Sequence, residues 1–263
     1  MKLNSTKTLI KIFIAIVILL GLFFYIKKRR IEYDAAAYEK EVIDYEPTPY
    51  EEEIIDYFKE IALQSEYTDN PEKVVKWKEP IFLYIIKEKE FKPQMSAIKR
   101  TINEINKLAT DGFKIEITDN LTNSNTVLYL CEKERVEELD QEFYEKFNDF
   151  DYDVSGYVNA EILTTTYEIN KAKIFINTET AIDVQESTIL EEITQSLGLA
   201  FDSKKYATSI FYEDKYKLDE EIKQYSQLDK DIIRLLYHPK MKPGLNSIKV
   251  DNIIKRILKS EKD

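Results

Sequence analysis

Histidine and cysteine are nearly missing from this 263-residue chain, with one of each, His238 and Cys131. A single histidine excludes any two-histidine metal site and weakens every Ser-His or Cys-His arrangement. A single cysteine excludes an internal disulfide, so no redox compartment follows from it. Cys131 ends an apolar run and reads as buried rather than catalytic. Glycine (5) and proline (7) are also scarce, which argues against disorder and against an all-β design rich in tight turns. In their place stand 43% hydrophobic and 12% aromatic residues, enough for a sizeable core in one large domain or two small ones.

Charge is unevenly distributed. Residues 1–30 hold seven of the 38 Lys/Arg and no acid, so the remainder carries 31 basic against 49 acidic residues, a net of −18. A body this acidic repels phosphate backbones, and nucleic acid is not expected as a partner. Cations or basic peptides are compatible with it, as is a plain solvated surface.

Residues 9–26 are apolar apart from Lys11, with an uninterrupted run of 15 residues at 12–26. With Lys11 snorkelling, the stretch is just long enough to span a bilayer. Lys27, Lys28, Arg29 and Arg30 follow directly, where a signal peptide would place small residues for cleavage. Residues 1–30 therefore read as an uncleaved membrane anchor, a transmembrane helix with basic flanks, and 31–47 as an acidic tether. Positive charge is similar on both sides of the span, which leaves orientation open.

Thr48, Pro49 and Glu51 carry the signals of a helix start: a capping threonine, proline at the first helical position and the reciprocal glutamate. Residues 74–86 are strand-like, with Pro80 placing a bend or an edge. Met95, Ile98, Ile102, Ile105 and Leu108 mark an amphipathic helix, and strands are expected at 113–117 and 126–131. A single charged helix is expected over 136–150, two strands at 157–166 and 172–177, and helices at 228–237, capped by Ser226, and at 250–258. His238 is expected to cap the first of these two helices. Strands mixed with helices in this order fit an α+β or mixed-sheet fold.

The stretch 187–198 stands out. Thr188 and Glu191 have the spacing expected of a capping box, Ile189, Leu190, Ile193 and Leu197 share one face, and Gly198 is the expected left-handed stop. Glu191 and Gln195 stack four residues apart on the polar side, and Glu192 points about 100° away from Glu191.

This pattern resembles the zincin fold of matrixin-like metalloproteases, in which a twisted sheet lies over a helix bearing His-Glu-x-x-His-x-x-Gly-x-x-His. A methionine turn and a closing helix follow in that family. On that pattern the chain keeps the general-base glutamate at Glu192 and the glycine at Gly198. Glu191 and Gln195 stand at the first two ligand positions and Phe201 at the third, with Asp202 beside it. Phe211, within Ser209 to Tyr212, stands in the methionine's place. Motifs from Tyr57 to Gly244, including Lys76, Trp77, Asp202, Ser203, Tyr237, His238 and Pro239, are similar to a bacterial family of unknown function whose members are mostly exported. The resemblance implies a zincin-like domain over 48–245, followed by a C-terminal helix at 246–263, and an extracytoplasmic location on a single-pass anchor.

Without imidazoles the zinc chemistry of such a fold is lost, since Gln195 is a weak ligand and Phe201 is none. No metal and no cofactor are expected. Two readings remain. One is a non-catalytic pseudoprotease that holds a peptide or protein ligand by strand addition. The other is a peptidase-like hydrolase in which Glu191, Glu192, Gln195 and Asp202 form the site and one acid has a raised pKa. Plainer roles exist for each residue. Glu191 and Glu192 suit the first turn of a helix, Gln195 suits a bond to a neighbouring loop, Asp202 suits a cap, and Tyr212 suits packing. Ser196 and Ser209 have no basic partner and are not nucleophile candidates.

Overall fold

The computed structural model describes residues 19–23, 25–26, 43–64, 72–150 and 154–262. The chain divides into residues 1–42 and 43–263. In the first part, residues 19–23 and 25–26 are helical. Most of the span expected at 9–26 lies outside the described residues, as does the tether up to residue 42. Among the described residues no helix is long and apolar enough to cross a membrane.

In the second part the order is α1 (Pro49–Leu63), β1 (Lys76–Trp77), β2 (Ile81–Lys87), α2 (Lys92–Leu108), β3 (Ile115–Ile117), β4 (Thr126–Cys131), α3 (Lys133–Leu139), α4 (Gln141–Tyr144), β5 (Gly156–Leu163), β6 (Glu168–Asn177), α5 (Ile182–Gln195), α6 (Gln227–Leu236) and α7 (Ser247–Lys262). It is a mixed α/β fold around one sheet. β3, β2, β4 and β6 run parallel in that order, β1 pairs parallel with the start of β6, and β5 runs antiparallel along β6. β5 has no second strand partner among the described residues, so it forms an edge of the sheet.

Alternation decides the faces. Tyr129 and Phe175 lie opposite each other and point into an aromatic cluster with Phe143, Phe147 and Tyr157, in which Phe147 stacks on Phe175 at 4.9 Å between ring centroids. Cys131 is buried in the same cluster, and burial pushes its thiol up to about 12. The intervening Leu128, Leu130, Ile174 and Ile176 are buried as well. α5 packs on β5, β6 and α2, and α1 packs on α6 and α7.

Several local signals act as expected. Thr48 Oγ1 accepts from the Glu51 amide, and Glu51 accepts from the Thr48 amide at 2.7 Å. Ser226 caps α6 as expected, and Asp229 adds the reciprocal bond that completes a box there. Pro80 separates β1 from β2. Gly198 sits at φ +106°, and a Cβ there would run into the carbonyl oxygen of Val75.

Three expectations are corrected. α5 begins at Ile182, so Thr188 is an interior, buried residue and its box with Glu191 does not form. The turn before the helix is held instead by Gln185, whose Nε2 donates to the carbonyls of Thr180 (2.5 Å) and Thr178 (3.1 Å). The single helix expected over 136–150 is broken at Asp140, which caps α4 through the Phe143 amide and also accepts from Tyr129 Oη and Lys173 Nζ. These longer-range partners outweigh helix continuity. His238 does not cap α6: its Nδ1 accepts from the Lys240 amide at 3.0 Å in the turn that follows.

Candidate functional site

The floor of the site follows from where α5 meets β5. Gly156 opens β5 directly over α5, where a Cβ would run into Thr188 and the side chain of Glu192. Only glycine permits so close an approach. Beyond Gly198, the chain from Ala200 to Tyr216 returns over the end of α5. Its turn at Ser209 is pinned from below: Tyr57 Oη donates to Ser209 Oγ (2.8 Å), which donates to Asp229 Oδ1 (2.6 Å). Phe211 is fully buried within that turn. Asp229 also accepts from Ser226, so the turn and the start of α6 share one buried carboxylate.

Between β5, α5 and this returning segment lies a cleft of about 410 Å3. Glu191, Glu192, Gln195, Asp202, Tyr212 and Lys215 all line it. The four residues singled out from sequence are thus brought to one place, while Phe201 is not among the lining residues. Glu191 and Glu192 lie about two and a half turns into α5 and so are not first-turn acids. Gln195 Nε2 donates to Asp202 Oδ1 at 3.0 Å, which fixes the loop against the helix. Tyr212 faces the cleft as well.

Lys215 is the residue that sequence reasoning missed. Its Nζ forms an ion pair with Glu191 Oε1, and only 20% of its side chain is exposed. Burial opposes its charge, but Glu191, Asp202 and Glu192 outweigh that and raise its pKa, so it stays an ammonium. Glu192 is 7% exposed, and its Oε2 has no hydrogen-bond partner among the described residues. Burial, then the charges of Glu191 and Asp202, push its carboxyl well above the usual carboxylate range, with Lys215 pulling partly back. Glu192 therefore holds its proton to higher pH than an ordinary carboxylate does. Lys215 opens a single 3-10 turn, Lys215–Lys217, too short to leave a periodic signal in the sequence. The one signal that could have found it is a charge count, because three clustered acids call for a cation.

These residues do not fit zinc. The donors at hand are carboxylates and one amide, with none of the imidazoles or thiolates on which zinc sites are mainly built. Gln195 turns its donor nitrogen toward Asp202, and an ammonium is already seated on Glu191. Among the described residues no group of three or more His, Cys, Asp or Glu side chains is arranged to hold a metal ion.

The residues that build and roof the cleft fall within one family match, which runs over residues 51–256. The chain belongs to the DUF2927 family. That family is described as a protein of unknown function. The DUF2927 match covers the chain from the first turn of α1 into α7, and so includes the whole sheet, the cleft and Lys215. No curated protein matches the chain.

Proposed function

We propose that this chain is a membrane-tethered, extracytoplasmic binding domain with a zincin-like scaffold, whose cleft receives an extended peptide segment of another protein without cleaving it. The observation that carries this reading is the Lys215–Glu191 ion pair at the floor of the cleft. A lysine ammonium balances the acids where the related pattern would call for a metal, and an ammonium cannot polarise a carbonyl or activate water as a Lewis acid does.

Other features support it. The antiparallel edge strand β5 lines the cleft and has no strand on its outer side among the described residues, which suits addition of a peptide strand. The helix ended by Gly198, the pinned turn around Phe211 and the following α6 come in the order that the sequence resemblance implies. The anchor rests on the apolar run at 9–26 and its basic flank.

A second reading is favoured by Glu192. A buried carboxyl that keeps its proton in a cleft is suited to donate that proton to a leaving group. It makes the protein a hydrolase with a carboxylate site.

One set of measurements on the full chain in detergent separates these. Zinc is expected to leave the melting temperature unchanged within about 1 °C, and a panel of extended peptides to bind without being cleaved. Hydrolysis abolished by Glu192→Gln would replace the first reading by the second. Protease digestion of intact cells is expected to remove the domain, and full protection would place it inside.

A further inference from the structure

We infer that the cleft selects its peptide by a basic side chain, arginine or lysine, whose cationic head sits against Glu192 and the neighbouring carboxylates of Glu191 and Asp202. The inference rests on the peptide-binding reading above and specifies its ligand.

The first observation is the unpartnered oxygen. Glu192 is more than nine-tenths buried, lines the cleft, and has one carboxyl oxygen with no hydrogen bond among the described residues. A buried polar atom without a partner is costly; Oε2 is closed off as the side chain stands, and a ligand in the cleft that Glu192 lines supplies the missing partner by drawing the carboxyl toward itself.

The second is the charge balance around that oxygen. Among the described residues, the titratable groups facing Glu192 are Glu191 on its own helix, Asp202 and Lys215 on the returning segment, and Tyr157 on β5. Lys215 is the one cation among them and is engaged with Glu191. Gln195 takes one oxygen of Asp202 but brings no charge. A second cation is thus attracted by the set, whereas an anionic or carbonyl ligand would meet Glu191 and Asp202. A cation also makes ionised Glu192 the better form, so its proton leaves to solvent as the ligand enters. At the mouth, Tyr216 is 80% exposed, and the ammonium of Lys217 already lies over its ring, 5.1 Å from the centroid.

The test uses the full chain in detergent and end-blocked pentapeptides, Thr-Val-X-Val-Thr, with arginine, lysine, citrulline or norleucine at X, together with agmatine alone. Affinities come from calorimetry in two buffers of different ionisation enthalpy. The arginine and lysine peptides are expected to bind about tenfold tighter than the citrulline and norleucine peptides, with proton release. In Glu192→Gln the preference is expected to fall to about threefold or less and the proton release to vanish. Proton release is read on the unmutated protein, so the outcome does not depend on that variant folding. Equal binding of arginine and citrulline peptides would overturn the inference and leave the peptide reading standing. Binding of agmatine with no peptide bound would keep the cation site and overturn strand addition. Binding by none of these probes would overturn both.

Discussion

Lys215 and Glu191 form an ion pair across the cleft floor, joining the short 3-10 turn Lys215–Lys217 to the third turn of the helix beneath it. Glu191 is 14% exposed and Lys215 20%, so neither charge is fully solvated. Removing one partner leaves the other beside a low-dielectric wall.

Lys215→Met and Glu191→Gln are each expected to cost about 2 kcal/mol of unfolding free energy, measured in urea. The double variant is expected to lose less than the sum, because the second change removes a charge that the first has stranded. Strict additivity would show that the pair is not coupled.

Lys76 is 2% exposed and donates to Asp111 (2.7 Å) and to the carbonyls of Leu236 (2.5 Å) and Met241 (3.4 Å), which ties the end of α6 to β1. Burial, opposed by Asp111, lowers its pKa from the ordinary 10.5 to about 8. Above the folded pKa the unfolded chain binds more protons than the folded one, so this residue adds stability as pH rises from about 8 toward 10. An increase on the order of 1–2 kcal/mol between pH 7.5 and 9.5 is expected in urea melts, absent in Lys76→Met. The window lies below the ionisation of unfolded tyrosines at about pH 10.

Glu51 shifts in the same direction, but in the acid range. Burial alone would raise its pKa, but bonds from the Thr48 amide, Lys262 and Tyr45 outweigh that and lower it from 4.5 to about 2. Its contribution is complete above the unfolded value and is lost as pH falls through the folded one, a window from about pH 4.5 to 2. Glu51→Gln is expected to flatten acid unfolding in that window and to cost about 1–2 kcal/mol at pH 7.

Gly198→Ala combines a left-handed backbone with a clash against the Val75 carbonyl. Backbone atoms cannot move aside as a side-chain tip does. A loss of about 3 kcal/mol is expected, read as a lower urea midpoint with an unchanged slope.

Much of this could be read from short-range patterns. Both capping boxes, at Thr48 and Ser226, depend on residues three apart. The strands at 126–131 and 172–177 and the stop at Gly198 are equally local. Glu191, Glu192 and Gln195 were legible together because they share one helix, whereas Asp202 joined them through the resemblance alone and its bond to Gln195 is tertiary. The break at Asp140 was not legible, because it depends on Tyr129 and Lys173 from neighbouring strands.

What the chain determined by itself is the set of interactions within a turn or two of helix or along one strand, since neighbouring residues meet whatever the rest does. Only the tertiary structure decided that β5 is an edge, that Gly156 lies against Glu192, and that a lysine far downstream seats its ammonium on Glu191. Those contacts join segments distant in sequence. They depend on which surfaces the sheet brings together, and no local periodicity encodes that.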